Sequence, residues 1–264
     1  MEFRTRVETE ALGFEIQPCE EILLVGSCFA DEIGRHFRDE GFPTTTNPFG
    51  TMYNPVSILH TLQRYKGNIP RIVFLTLGTN HVYKLKATGE IVDNCEKRLQ
   101  SLFQEEKLTV EECRDYLLQS IDLLHQRNAE VQVILTVSPI RYKKYGYHGS
   151  QLSKATLLLA CQAVSDKVSY FPAYEIFMDE LRDYRFYAAD MLHPSEQAVA
   201  YIWERLVDCC FSKTAKRYLE EWRPLKQILE HRPFNPESDE YRQLIDKTMS
   251  KVAELRKKHP TFAR

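Results

Sequence analysis

The 264-residue sequence lacks a long hydrophobic run and a marked excess of charge of either sign. No stretch approaches the ~20 consecutive apolar residues that a membrane-spanning helix needs, so we expect no membrane span. Residues 1–8 contain no apolar segment of the kind that a secretory signal requires, which favours a cytoplasmic protein. The formal net charge of −2 provides no basic field that would attract nucleic acid or anionic lipid.

Motifs for metals and nucleotides are also missing. The sequence has no His-Glu-x-x-His pattern, no paired Cys-x-x-Cys pattern and no P-loop. We therefore predict no metal site, no nucleotide-phosphate loop and no cofactor. The seven cysteines are irregularly spaced, and Cys209 and Cys210 are adjacent, which indicates reduced thiols rather than a disulfide framework.

What the sequence contains is an alternation of short apolar strands and amphipathic helices. This pattern is typical of an α/β protein whose mostly parallel sheet is covered by helices on both faces. The predicted strands are Glu21–Val25, Arg71–Leu77, Val131–Val137 and Ser169–Phe171, with a hairpin of His81–Leu85 and Ile91–Asn94. The predicted helices are Phe29–Glu40, Val56–Tyr65, Leu108–Asn128 with Thr109 as N-cap, Leu152–Lys167, Ala173–Tyr184 and a helix capped by Ser195. Thr44–Pro55 is predicted to be a loop.

The C-terminal residues 212–264 differ from the rest of the chain. They carry 13 Lys and Arg against 8 Asp and Glu, and they contain no strand-like run. Lys213–His231 and Ser238–His259 have helical periodicity, so we predict an α/β domain over residues 1–211 and a helical extension over 212–264. We expect the extension to pack back on the domain; a homodimer through these helices is the alternative.

A serine that directly follows the first predicted strand gives the strongest functional signal. Gly26-Ser27-Cys28-Phe29-Ala30 joins that strand to a helix. Ligands of open α/β sheets bind outside the carboxyl ends of the strands, and a helix N-terminus favours negative charge. Ser27 is therefore a candidate nucleophile beside an oxyanion site, although it is also a suitable helix cap. Cys28 shares the helix N-terminus and is the nearest rival nucleophile.

A serine nucleophile needs a base and a group that orients the base. The segment Asp190-Met191-Leu192-His193 supplies both, with His193 as base and Asp190 as its partner, although an isolated motif of this kind is more often a solvated loop. The predicted oxyanion donors are the backbone N–H groups of Ser27 and Gly50 and the side-chain amide of Asn80.

Four further side chains near these segments are predicted to contact substrate. For one of them, His81, pairing across the hairpin is the alternative. The tyrosine-rich segment Tyr142–Ser150 is predicted to form either a lid or sugar-stacking loop, or a plain exposed loop. The four candidates are Tyr53, His81, Tyr83 and His148.

The segment Gly26-Ser27-Cys28-Phe29-Ala30 resembles the signature of the GSCFA family, which is related to the SGNH or GDSL-like hydrolases. Further stretches resemble that family over roughly residues 3–210. They are Phe3-Arg4-Thr5, Asn47-Pro48-Phe49-Gly50, Leu77-Gly78-Thr79-Asn80, Asn94-Cys95, Ser138-Pro139, Ser153-Lys154-Ala155 and Asp190-Met191-Leu192-His193-Pro194.

The resemblance implies a three-layer α/β/α flavodoxin-like fold and acyl-ester hydrolysis without a metal or organic cofactor. It assigns Ser27 to the nucleophile block, Gly50 and Asn80 to the oxyanion blocks, and Asp190 and His193 to the Asp-x-x-His block. One departure is that Ser27 follows Gly26 directly, where the wider superfamily has a Gly-Asp-Ser sequence.

These observations predict a serine esterase with a Ser27–His193–Asp190 triad. The predicted substrate is a small-molecule or glycan ester with a short acyl group such as acetyl. This substrate prediction rests on analogy alone. The alternatives are an O-acyltransferase acting on a sugar hydroxyl and a non-catalytic module that binds a glycan or an acyl group.

Overall fold

The structure is a computed structural model that describes residues 5–9, 12–93 and 98–263. The family-like segments at Phe3-Arg4 and Asn94-Cys95 lie outside the described residues. The strands are β1 (Ile22–Gly26), β2 (Thr44–Thr46), β3 (Ile72–Leu77), β4 (His81–Leu85), β5 (Ile91–Val92), β6 (Phe103–Lys107), β7 (Gln132–Val137) and β8 (Ser169–Tyr170). The α-helices are α1 (Cys28–Asp39), α2 (Pro55–Arg64), α3 (Val110–Arg127), α4 (Gly146–Gln162), α5 (Ala173–Glu175), α6 (Glu196–Cys210), α7 (Lys213–Glu230) and α8 (Asp239–Lys258).

The main sheet has five strands in the order β2-β1-β3-β7-β8, and every pairing in it is parallel. The predicted α/β fold with a parallel sheet is therefore confirmed. Because the chain runs outward from β1 to β2 and then crosses back to β3, the topological switch point lies between β1 and β3. Open α/β sheets form their ligand crevice at the carboxyl ends of the strands that flank such a point.

Each face of the sheet is covered by its own apolar layer, because successive strand residues point to opposite faces. On one face Leu24, Phe74 and Ile134 pack with residues of α1, α6 and α7. On the other face Leu23, Val73 and Val133 pack with residues of α2, α3 and α4. The strands read as continuous apolar runs because both faces are buried.

The helix starts follow ordinary capping chemistry. The Thr109 side chain accepts from the backbone N–H of Glu112, and the Glu112 carboxylate accepts from the backbone N–H of Thr109, so α3 begins with a complete capping box. Ser195 accepts from the N–H of Ala198 at the start of α6. Both predicted N-caps are confirmed.

A second, antiparallel sheet has the order β5-β4-β6. The predicted hairpin of β4 and β5 is present. The sequence prediction missed β6, whose sequence Phe-Gln-Glu-Glu-Lys buries only Phe103 and therefore shows no apolar run. It also missed β2, a three-threonine strand at the edge of the main sheet within the predicted loop Thr44–Pro55.

The C-terminal helices pack on the domain at the end of α1. The Tyr218 hydroxyl donates to the carbonyl of Glu40 at 2.6 Å, and the Trp222 indole donates to the carbonyl of Asp39 at 3.2 Å. Beyond α8, the N–H of Ala263 donates to the carbonyl of Gly41 at 3.0 Å. Homodimerisation through these helices stays a prediction. Among the described helices, none combines the length and the apolar character that crossing a membrane would require.

Candidate active site

The turn after β1 is fixed to the end of β3. Gly26 has φ +145°, and a Cβ atom at this position would overlap the backbone of Thr76, so only glycine fits. The N–H of Ser27 donates to the Thr76 carbonyl at 3.0 Å, and the two side-chain hydroxyl oxygens lie 3.2 Å apart. Ser27 has 0% exposure. It occupies the N-cap position of α1, but its side chain makes no capping hydrogen bond, since it bonds to β3 instead.

Cys28 is the first residue of α1 and, unlike Ser27, it is partly exposed. In its thiolate form Cys28 would interact electrostatically with Tyr53, Tyr142 and Lys154 at the same end of the sheet. Burial raises the pKa of the Cys28 thiol to about 11, while its own backbone N–H and Lys154 act in the opposite direction. The thiol is therefore protonated at neutral pH and needs a base before it can act as a nucleophile.

Lys154 is a buried cation beneath this site. It lies on α4 with 2% exposure, and its Nζ donates to the carbonyls of Gly78 and Ser138, each at 2.7 Å. Burial lowers the pKa of Lys154 to about 7. The sequence prediction gave Lys154 no role of its own. The available signal was its position on the inward stripe of α4, since the buried Leu157 and Cys161 follow at i+3 and i+7.

Tyr142 places a buried hydroxyl over the end of β3. The hydroxyl has no hydrogen-bond partner in the described part of the chain, and a Cβ on Gly78 would overlap it. Burial raises the pKa of Tyr142 well above its usual value. The ring meets that of Tyr53 edge-on, with centroids 6.3 Å apart. Tyr53 is 41% exposed and thus lies at the mouth of the site.

The Asp190 and His193 side chains form a pair, with Nδ1 of His193 2.5 Å from a carboxylate oxygen of Asp190. The other carboxylate oxygen accepts from the backbone N–H groups of Leu192 and His193, at 2.8 and 3.0 Å. These backbone hydrogen bonds, followed by the one from the His193 ring, lower the pKa of Asp190 to about 2. Met191 has φ +60° in the middle of this turn. The carboxylate therefore fixes both the loop and the imidazole.

The loop that carries Asp190 and His193 is bound by Arg141, which follows β7, and its end approaches the middle of α1. The backbone N–H of Arg141 donates to the carbonyl of Leu192 at 3.1 Å, and its guanidinium donates to the carbonyl of Met191. On the other side, Pro194 lines a surface depression together with Glu32 and Arg35 of α1. Within the described residues, no hydrogen bond joins His193 to Ser27 or Cys28. The complete triad therefore stays a prediction.

The predicted oxyanion donors all make hydrogen bonds within the fold. The Ser27 N–H bonds to Thr76, and the Gly50 N–H donates to the carbonyl of Asn47 at 2.8 Å, closing a turn. The Asn80 side-chain amide donates to the carbonyl of Leu108 at 2.7 Å. An oxyanion hole made of Ser27, Gly50 and Asn80 stays a prediction, and it would require these three donors to be released.

Two of the predicted substrate contacts, His81 and Tyr83, lie on β4. His81 stacks on Tyr145 with ring centroids 3.6 Å apart, and its Nδ1 lies 3.2 Å from Glu105 on β6, so it pairs with the strand that the sequence prediction missed and not across the predicted hairpin of β4 and β5. Burial lowers the pKa of His81. The Tyr83 hydroxyl contacts the ammonium group of Lys144.

The segment predicted as an exposed loop or lid is instead partly helical. Lys143–Tyr145 forms a 3₁₀ turn, and α4 begins at Gly146, six residues before the predicted Leu152. His148 is exposed in the first turn of this helix. A substrate contact by Tyr53, His81, Tyr83 or His148 stays a prediction.

Comparisons with known proteins agree with this architecture. The structure of an acetyl-xylooligosaccharide esterase variant from Geobacillus is similar, with a TM-score of 0.50, 12% identity and coverage of 74% of this chain and 95% of that one. The structure of LAE5, an alpha/beta hydrolase enzyme from the metagenome of Lake Arreo in Spain, has a TM-score of 0.50 at 13% identity, covering 76% of this chain and 100% of that one. At these identities the likeness shows the fold alone. No curated protein sequence matches the chain.

The sequence profile of the GSCFA family matches residues 21–70 and 67–206, which include the Gly26–Ala30 turn and the Asp190–His193 loop. The profile described as the C-terminal domain of GSCFA domain proteins matches residues 222–263, within α7, α8 and the chain that follows. The two segments that match the GSCFA family profile together extend over more than half of the chain. The resemblance seen in the sequence is therefore confirmed. The chain belongs to the GSCFA family.

Proposed function

We propose that this protein is an acyl-ester hydrolase that acts through a covalent acyl-enzyme intermediate. The observation that carries the proposal is the Asp190–His193 pair at 2.5 Å. The carboxylate holds Nδ1 of His193, so that Nε2 is the nitrogen left to accept a proton. A base held in one orientation by a buried or anchored carboxylate is the arrangement on which nucleophilic acyl transfer depends.

The reaction needs a nucleophile within reach of this base, and the turn between β1 and α1 supplies two. Ser27 is the nucleophile predicted from the sequence, and Cys28 is its neighbour. Both lie at the carboxyl end of β1, where the switch point of the sheet forms its crevice. Pro194, which directly follows His193, lines a surface depression with Glu32 and Arg35 in the middle of the same helix.

We propose a short acyl group on a carbohydrate as the substrate. Three tyrosines surround the guanidinium of Arg141, which holds the Asp190–His193 loop: the distances to the ring centroids of Tyr147, Tyr184 and Tyr187 are 4.9, 5.9 and 4.1 Å. Tyr147 and Tyr184 are 51% and 70% exposed. Such rings combine an apolar face with a polar tip, which suits the apolar face and the hydroxyl groups of a sugar.

The test is hydrolysis of p-nitrophenyl acetate and of acetylated oligosaccharides by the purified full chain. We expect turnover that falls about 10²- to 10⁴-fold in His193→Ala. His125→Ala is the matched control, because His125 is exposed at the far end of α3. Turnover that is unaffected by His193→Ala would contradict the proposal. Acylated acceptor in excess of free acid, with a sugar present, would identify an acyltransferase instead.

A further inference from the structure

We propose that the nucleophile of this site is the thiol of Cys28 and that the hydroxyl of Tyr142 donates a hydrogen bond to the oxyanion. This inference rests on the proposed acyl-ester hydrolysis and specifies its chemistry. It departs from the serine predicted from the sequence.

The first argument is access. Ser27 has 0% exposure, and both its N–H and its hydroxyl are bonded to Thr76 of β3. A substrate carbonyl cannot reach its Oγ unless the turn opens. Cys28, one residue later, is partly exposed at the first position of α1. Its backbone N–H and that of Phe29 lie in the first turn, where no helical carbonyl is available to accept from them.

The second argument is the unused hydroxyl of Tyr142. Leaving a buried polar atom without a partner costs about 1–3 kcal/mol, so such an atom usually bonds to a ligand or an ordered water. This hydroxyl lies against Gly78, two residues beyond Thr76, and Thr76 pairs with Gly26 at the start of the turn that carries Cys28. An oxyanion formed by attack of the Cys28 sulfur would accept its hydrogen bond.

Lys154 makes the same site favourable for negative charge. Its Nζ lies 5.1 Å from the centroid of the Tyr142 ring, and both of its hydrogen-bond acceptors are neutral carbonyls. When Lys154 is protonated, its charge favours the Cys28 thiolate, against the carboxylates of Asp31 and Glu32, which disfavour it. Tyr53 covers the site from the solvent side.

The reaction follows from these positions. Nε2 of His193 accepts the thiol proton, and the sulfur electron pair attacks the ester carbonyl carbon to form a C–S bond. The carbonyl electron pair moves onto oxygen, where the Tyr142 hydroxyl donates to it. The C–O bond to the alcohol then breaks, and the departing alkoxide takes the proton from His193, which leaves a thioester.

Hydrolysis of the thioester reverses these roles. His193 removes a proton from water, whose oxygen attacks the thioester carbonyl and forms the acid. The C–S bond breaks, and the Cys28 sulfur recovers the proton from His193. The net reaction converts ester and water into acid and alcohol. The missing contact between His193 and Cys28 forms when substrate binds, because catalytic hydrogen bonds are often long without substrate.

The experiment identifies the residue that carries the acyl group in the intermediate. The full-length protein and its variants are mixed with p-nitrophenyl acetate, quenched in acid and analysed by peptide mass spectrometry, with circular dichroism to verify folding. We expect the acetyl group on Cys28, released by neutral hydroxylamine as a thioester. Cys28→Ala should lose the adduct and at least 10²-fold in turnover, whereas Ser27→Ala should still form the adduct on Cys28. Cys209→Ala, which removes another partly buried thiol, is the matched control.

Tyr142→Phe tests the oxyanion donor. We expect kcat/KM to fall about 10²- to 10³-fold while the protein stays folded, as for removal of one oxyanion donor. Full activity in this variant would overturn the role of Tyr142. An acetyl group on Ser27, with Cys28→Ala still active, would overturn the thiol nucleophile but leave the hydrolase proposal standing. Absence of both turnover and adduct in the unmodified protein would refute the proposed function and, with it, this inference.

Discussion

The Nζ atom of Lys154 lies 2.7 Å from the carbonyl oxygen of Gly78 and connects α4 to the end of β3. A second hydrogen bond of the same length, to the carbonyl of Ser138, ties in the end of β7. A single buried amine therefore joins the ends of two neighbouring strands. The arrangement is costly because burial disfavours the charged form.

This cost gives the stability of the protein a characteristic pH dependence. The pKa of Lys154 is about 7 in the folded protein and 10.5 for an ordinary lysine. Between these values the unfolded chain binds more protons than the folded protein, so this lysine makes stability increase as the pH rises from about 7 towards 10.5. In Lys154→Met this contribution is lost.

The measurement is the free energy of unfolding by urea at several pH values from 6.5 to about 10 in both proteins. The difference between the two proteins should change in favour of the unmodified protein as the pH rises. Lys167→Met, which alters an exposed lysine, is the control and should leave the slope unchanged. A parallel pH profile for the unmodified protein and Lys154→Met would show that the lysine is not buried as described.

We expect Asp190 to stay ionised, and so to orient His193, at every pH above about 4. Its pKa is about 2 because backbone N–H groups and the His193 ring bond to the carboxylate. Below its ordinary pKa of 3.8 its contribution to the order of the loop declines, and it is lost as the pH falls through about 2. Any acid limb of the activity above pH 4 must therefore come from a group other than Asp190.

Asp190→Asn keeps the shape of this side chain but removes its charge. We expect kcat/KM to fall about 10²- to 10⁴-fold, since an amide no longer holds the imidazole in the required tautomer. The thermal unfolding midpoint should change little, because Asp190 and His193 are exposed. Steady-state kinetics from pH 5 to 9 provide the measurement, and equal activity of the two proteins would be the contrary result.

Gly78 is expected to tolerate no side chain. A Cβ at this position would overlap the Tyr142 hydroxyl and approach the Tyr53 carbonyl to 3.0 Å. Gly78→Ala should displace the Tyr142 ring, lower kcat/KM more than 10-fold and destabilise the protein by about 1–3 kcal/mol. Gly13→Ala is the control because no atom lies within 4 Å of its added Cβ. Kinetics and urea unfolding of both variants make the comparison, and similar behaviour of the two would contradict the geometry.

The C-terminal helices are expected to contribute to the stability of the whole protein. Trp222 is 1% exposed, and its replacement by alanine should cost about 3–5 kcal/mol in a single cooperative unfolding transition. Tyr218→Phe should cost about 1 kcal/mol by removing the hydrogen bond to Glu40. Phe234→Ala, at a fully exposed aromatic in the same segment, is the matched control. An independent early transition for the tail would be inconsistent with this packing.

The parts of the fold that could be predicted are those that leave a recognisable pattern in a short stretch of sequence. Ile72–Leu77 is a continuous apolar run because both of its faces are buried, and Thr109 followed by Glu112 is a capping box. Strand β6 has no such signature, since it is an edge strand with mostly charged residues. The start of α4 at Gly146 was missed for a similar reason, because no side chain caps it.

In the candidate site, too, contacts between residues close in sequence could be predicted, and contacts between distant residues could not. Asp190 and His193 were predictable as a pair because only two residues of a tight turn, Met191 and Leu192, separate them, so their contact is local. The burial of Ser27 depends on Thr76, which is distant in sequence and becomes a neighbour only through the pairing of β1 with β3. The unused hydroxyl of Tyr142 likewise depends on its approach to Gly78. Whether Ser27 or Cys28 faces the substrate is therefore information that only the three-dimensional structure contains.

Helix α1 is supported at both ends. Its first residue is Cys28, and the turn that precedes it is bound to β3; its last turn is bound by Tyr218, Trp222 and the chain around Ala263. The C-terminal segment thus restrains the position of α1 along the helix axis. A substitution that loosens these C-terminal contacts would therefore allow Cys28 to shift relative to His193, and the proposed site would lose its alignment while every candidate residue is still present.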